Sequence, residues 1–98
     1  MTAAEALSPM EMMVALMNGL DIVLMDSENH PHLVCGVKTQ AMSIDILTAC
    51  PDWTIISNPL TSGLNRFEYF YIRIPGPKDK AKAIAALREA FPGLTFEE

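Results

Sequence analysis

Hydrophobic and polar residues alternate most regularly along Arg66-Phe67-Glu68-Tyr69-Phe70-Tyr71-Ile72-Arg73-Ile74, and a period of two predicts a strand. Phe70, Ile72 and Ile74 fall on one face of it and read as core. Phe67, Tyr69, Tyr71 and Arg73 fall on the other, a row of aromatics and a guanidinium that something must cover or bind. Upstream, Ser8-Pro9-Met10-Glu11 predicts a helix start with an N-cap, a proline at the first helical position and a capping box. Leu7 and Met12 are placed for a hydrophobic staple, and Asn18-Gly19 supplies a left-handed stop. This helix has four methionines in eight residues. Residues 1–7 have a helical composition with no start or stop signal and are expected to fray.

Asp21–Met25 and Leu33–Val37 are short apolar runs joined by a turn, Asp26-Ser27-Glu28-Asn29-His30-Pro31, and predict a hairpin. Thr39–Cys50 fits both periods: Met42, Ile44 and Ile46 alternate as in a strand, while Met42, Ile46 and Ala49 suit a helix. An internal echo favours the helix. Ala49-Cys50-Pro51-Asp52-Trp53-Thr54-Ile55 parallels Ala90-Phe91-Pro92-Gly93-Leu94-Thr95-Phe96, and the second copy ends a clear helix and opens a strand. Residues 40–50 are therefore read as helix and 53–58 as strand, with a loop over 58–65. Gly76-Pro77 breaks the aromatic strand and starts a last helix with Pro77 in its first turn. Ala83, Ile84, Leu87, Ala90 and Phe91 form its apolar stripe, and Leu94–Phe96 is a final strand.

From residue 33 onward the order is strand, helix, strand, strand, helix, strand. The fold class is α+β, with a ferredoxin-like split βαβ arrangement over 33–97: an antiparallel sheet, two helices on one face, and the aromatic strand at its centre. An N-terminal helix and an extra strand precede that core in a single domain of 98 residues. Strand 21–25 has no vacant neighbour in the ordinary ferredoxin-like order. Either the last strand is displaced, or 21–25 pairs elsewhere, or the fold is another α+β meander with 42–48 as strand.

Composition narrows the function. Half of the residues are hydrophobic and 19% charged, which excludes a disordered chain. A net charge of −5 argues against sequence-independent nucleic-acid binding, which needs a basic footprint. Residues 1–65 hold seven acids and one base, Lys38, whereas 66–98 hold five acids and six bases. The acids of the first part lack local partners and are expected to face water or a basic-surfaced protein. No apolar run is long enough to span a membrane, and neither a signal peptide nor a location outside the cytoplasm is expected.

Candidate chemistry is sparse. Cys35 and Cys50 lack metal or redox spacing and read as buried small apolar residues. His30 and His32, with Cys35, Asp26 and Glu28 nearby, have no second ligand pair, so neither metal nor cofactor is expected. Lys78, Lys80 and Lys82 at a helix start read as a solvated turn. No catalytic constellation is present. The aromatic third strand resembles, in position, the stacking platform of an RNA-recognition motif, but the glycine-aromatic signature is missing and the charge is of the wrong sign. Cover of the aromatic row by helix 9–18 is the simpler expectation, and homodimerisation through that row is the next.

These observations favour a small, acidic, non-enzymatic protein–protein interaction module that occupies a surface of a larger, basic-surfaced partner. The candidate contact residues are Asp21, Asp26, Glu28, Asp45 and Asp52. Anti-defence inhibitors of phages and mobile elements, anti-CRISPR proteins among them, have this size and charge, and acidic type III secretion chaperones offer a further analogy. The alternative is a small-molecule-binding or enzymatic domain, with a pocket between the sheet and helix 9–18 lined by Tyr69, Tyr71, Arg73 and Trp53.

Overall fold

The computed structural model describes residues 1–56 and 69–97. Among these residues six strands and three helices follow one another: β1 (Thr2–Leu7), α1 (Pro9–Met17), β2 (Ile22–Met25), β3 (Leu33–Val37), α2 (Gln40–Ala49), β4 (Thr54–Ile56), β5 (Phe70–Ile74), α3 (Lys80–Ala90) and β6 (Thr95–Glu97). The strands form one mixed sheet in the order β4-β5-β3-β2-β1-β6. β1 runs parallel to β2 and β6; the β2–β3, β3–β5 and β4–β5 pairs are antiparallel. The chain is thus an α+β protein. Arg66, Phe67, the loop 58–65 and the flanking ends of the two predicted strands lie outside the described residues.

The ferredoxin-like strand order is not the one adopted. β5 does sit between β3 and β4, as a split βαβ unit requires, but β6 is displaced outward by two strands. The reason is local. A short turn closes the β2–β3 hairpin at low entropic cost, so β2 takes the remaining edge of β3. β1 then pairs with β2, and β6 meets its edge at β1. Residues 2–7, expected to fray with helical composition, are instead an interior strand. Ala3 and Ala4 are buried, and Thr2 pairs with Thr95 on one side while Ala3 pairs with Ile22 on the other. Alanine's helix preference is worth only a few tenths of a kcal/mol over most residues, and pairing on both edges overrides it.

Two apolar layers sandwich the sheet. On one face α2 and α3 cover Ile22, Leu24, Leu33, Cys35, Val37, Ile72 and Ile74, contributing Ile46, Ala83 and Leu87. On the other, α1 sets Met12 and Leu16 against Val23, Met25, Val34 and Tyr71. Gly36 makes this second contact close: a β-carbon there would lie 2.8 Å from Met12 Sδ and 3.3 Å from both Leu16 Cδ1 and Tyr71 Cε1. The aromatic strand is interior, and α1 covers Tyr71.

Helix ends follow from their sequences. The Ser8 hydroxyl accepts from the Glu11 amide at 3.3 Å, and the Glu11 carboxylate accepts from the Ser8 amide at 3.1 Å, completing the capping box. At the other end Gly19 has φ +106°, its amide donates to Leu16 O, and the Leu20 amide donates to Ala15 O, the paired bonds of a Schellman stop. α3 begins later than Pro77 predicts. Asp79 caps it, accepting from the Lys82 amide at 3.1 Å, because its carboxylate satisfies an orphan donor that proline cannot.

Candidate functional site

α1 has the composition of a helix buried on all sides. Its nine residues, Pro-Met-Glu-Met-Met-Val-Ala-Leu-Met, include one charge and no other polar side chain. A helix apolar all round is ordinarily enclosed. Here one face is enclosed and the opposite one is bare: Met10 is 72% exposed, Val14 48% and Met17 54%. Their spacing of i, i+4 and i+7 stacks them into one stripe, roughly 10 Å long. Beside the stripe runs an open groove of about 680 Å³, lined by Leu7, Met10, Val14, Ala15 and Leu20 with Thr2, Glu11 and Glu97. One wall is α1 and the turn that follows it; β1 and β6 contribute the rest. β6 pairs only with β1 among the described residues, so the groove opens onto the sheet's edge.

The charged side chains that line the groove are of one sign. Residues 1–37 contain no lysine or arginine. Glu11 and Glu97 stand at the groove, and Glu5 is exposed on β1. The Ser8 hydroxyl and backbone amide hold the Glu11 carboxyl below its usual pKa, so it stays ionised well into the acid range. Burial cannot be the cause, since the carboxylate is solvated.

The acidic residues singled out from sequence are dispersed. Asp21 and Asp26 flank opposite ends of β2, roughly 17 Å apart. Asp21 Oδ2 accepts from the Thr2 amide at 3.1 Å and so helps fix β1. Asp26 is paired with Lys78 at 2.7 Å, and Lys78 also donates to Ser27 O at 2.7 Å. That lysine is therefore a tie between the β2–β3 turn and the start of α3, and the acids of the first part do not all lack internal partners. Glu28 is exposed in the same turn as Asp26, Asp45 on α2 and Asp52 after it, so the five are spread over separate elements rather than in one run.

The aromatic row is also divided. Tyr71 is buried beneath α1, Tyr69 is half-buried in the same cluster, and Arg73 is exposed. Phe67 lies outside the described residues. Trp53 packs on the opposite side of the sheet, against the core beneath α2 and α3. It lines a second groove of about 360 Å³ with Asp52, Pro75, Pro77, Asp79 and Lys82. The four residues expected to line one pocket therefore do not converge. Among the described residues the Tyr71 hydroxyl is buried without a hydrogen-bond partner, and burial, with Tyr69 nearby, pushes its pKa up.

Burial raises the pKa of both cysteine thiols, most strongly at the fully buried Cys35, with Cys50 adding to it; Glu89 adds to the effect at Cys50. Neither thiol is activated as a nucleophile. His32 Nδ1 lies 3.1 Å from Gly76 O; because a carbonyl only accepts, that bond places the proton on Nδ1. Among the described residues no group of histidines, cysteines and carboxylates could hold a metal ion, and no helix is long and apolar enough to cross a membrane.

Met10, Val14, Met17 and Glu97 were not among the sequence candidates. The first three had a usable signal, since a helix apolar on every side has more hydrophobic surface than one sheet can cover. Glu97 had none, because its place beside α1 depends on the β1–β6 pairing. No protein-family model, no curated protein and no solved structure matches the chain.

Proposed function

We propose that this chain is a non-enzymatic protein–protein interaction module that occupies a surface of a larger partner, with the outward face of α1 as the contact. The observation that carries this reading is the exposed Met10–Val14–Met17 stripe on a helix whose composition suits complete enclosure. Covering these half-exposed side chains contributes on the order of 1 kcal/mol each. That is well short of the roughly 8 kcal/mol of a micromolar complex, so the groove and its charges must add to the contact. Methionine suits the task, being flexible enough to fit a partner's irregular surface.

An inhibitor or regulator of the phage and mobile-element type is the finer form of this proposal, supported by size and charge alone. The small-molecule alternative has less support, because Tyr69, Tyr71, Arg73 and Trp53 fall on two sides of the sheet. The test is affinity capture from host lysate with the parent chain and with a Val14→Glu/Met17→Glu variant, alongside a ligand thermal-shift screen. The reading predicts a stoichiometric protein partner, lost in the variant while its melting temperature is unchanged. A partner retained by the variant, or a specific small-molecule shift without any partner, refutes it.

A further inference from the structure

We infer that the partner element seated on this site is a basic amphipathic helix. The inference rests on the interaction reading above and names the chemistry of the occupant. Three observations lead to it. The exposed stripe runs along a helix at i, i+4 and i+7, and such a row packs best against another helix whose apolar residues repeat at the same spacing. The groove beside it gives that second helix a seat, with α1 as one wall and Thr2, Leu7 and Glu97 along its other side. The charge that lines the groove is of one sign: Glu11 and Glu97 are its charged side chains, with no lysine or arginine among the lining residues. A partner stripe of leucine, isoleucine or methionine would fill the groove while flanking lysines or arginines meet the two carboxylates.

Other occupants fit less well. A second copy of the chain would bring a net charge of −5 against another −5 and, docked through the same groove, would offer no basic lining residue to meet Glu11 and Glu97. A strand added to the sheet edge would have only the three residues of β6 as its template, too short to fix a register. An anionic membrane surface would be repelled by the same carboxylates.

The test uses two synthetic peptides of about five helical turns, labelled for fluorescence anisotropy. Both carry leucines at i, i+3, i+4 and i+7; one has lysine and arginine on its polar face, and the other has glutamate there. Titrated with the intact protein, the basic peptide is expected to bind at least roughly tenfold more tightly than the acidic one and to weaken as salt rises. Val14→Glu/Met17→Glu should lower its affinity at least roughly tenfold. Glu11→Gln/Glu97→Gln should erase most of the charge preference while leaving apolar binding, and Glu11→Gln keeps an acceptor for the capping box. Equal binding of the two peptides, or a charge preference unchanged in the glutamine variant, overturns the inference. So does a dimer in sedimentation that Val14→Glu/Met17→Glu dissolves, since a second copy would then be the occupant. If lysate capture yields a partner through the α1 stripe but the basic peptide does not bind, the inference fails and the interaction reading stands. If the peptide binds elsewhere and the stripe variant captures normally, both fail.

Discussion

Replacing Gly36 with alanine tests how α1 is held on the sheet. Gly36 is the fourth of the five residues of β3, and its missing side chain lets Met12, Leu16 and Tyr71 close over the backbone. Ordinary carbon contacts fall at about 3.5–4.0 Å. The added methyl would meet Met12 Sδ at 2.8 Å and two carbons at 3.3 Å, from a helix above and a strand beside it. Met12 is flexible, yet it is buried to 2% exposure and has no solvent to swing into. Overpacking of this kind costs about 1–3 kcal/mol, and the lower backbone entropy of alanine returns about 0.5–1 kcal/mol. Those ranges leave roughly 0–2.5 kcal/mol, and the 2.8 Å contact on a buried side chain puts the expected loss in the upper part, about 1–2 kcal/mol. For a chain of this size that lowers the melting temperature by roughly 4–16 °C. Circular dichroism melts and urea titrations measure it. A double-mutant cycle with Met12→Ala isolates the contact: Met12→Ala alone should cost about 2–5 kcal/mol, and distinctly less beside Gly36→Ala, with a coupling above about 0.5 kcal/mol. A Gly36→Ala protein as stable as the parent would refute the account of α1 packing, as would additivity in the cycle.

Four further outcomes follow from the same geometry. Tyr71→Phe should leave stability unchanged or raise it by about 1 kcal/mol, because the buried hydroxyl has no partner among the described residues to lose; a clear destabilisation in urea would refute this. Ser8→Ala should cost about 1 kcal/mol through loss of the α1 cap, read by the same titration. Glu11 has a folded-state pKa below its ordinary value of 4.5, so its contribution is fully present above that value and is lost as pH falls through the lowered one. The parent should therefore exceed Glu11→Gln in stability at neutral pH, and the two should converge on acidification. Asp26→Asn, which breaks a partly exposed ion pair with Lys78, should cost no more than about 1 kcal/mol, and less at high salt.

Much of the fold was legible because its signals are local. The capping box and Asn18-Gly19 bracket α1 within the span of their own hydrogen bonds. The internal echo placed α2 correctly for a physical reason. Cys50 and Phe91 terminate their helices alike, donating to Ile46 O and Leu87 O, and the Trp53 and Leu94 amides return to Cys50 O and Phe91 O at 3.0 Å. Each turn then opens a strand, β4 or β6. The alternation at β5 likewise gave the correct core face in Phe70, Ile72 and Ile74. What was not legible is non-local. β1 is a strand because β2 and β6 flank it, and six residues rich in alanine carry little trace of that. The acids looked like a surface when counted along the chain, but Asp21 and Asp26 belong to opposite ends of one strand. That α1 has more apolar surface than the sheet covers was signalled by its composition, but which of its residues stay bare depends on how it docks.

The pairing of β1 with β6 also governs the order in which the molecule can assemble. Thr2 lies against Thr95, so this ladder joins residues from nearly opposite ends of the described chain, whereas the β2–β3 hairpin closes over a few residues. Loop-closure entropy makes the first contact late and the second early. During synthesis β1 would reach β2 with its other edge still unpaired, an open template until β6 emerges. The rate-limiting step of folding should then be the docking of β6, and substitutions in β6 should slow folding more than equally destabilising ones in α2.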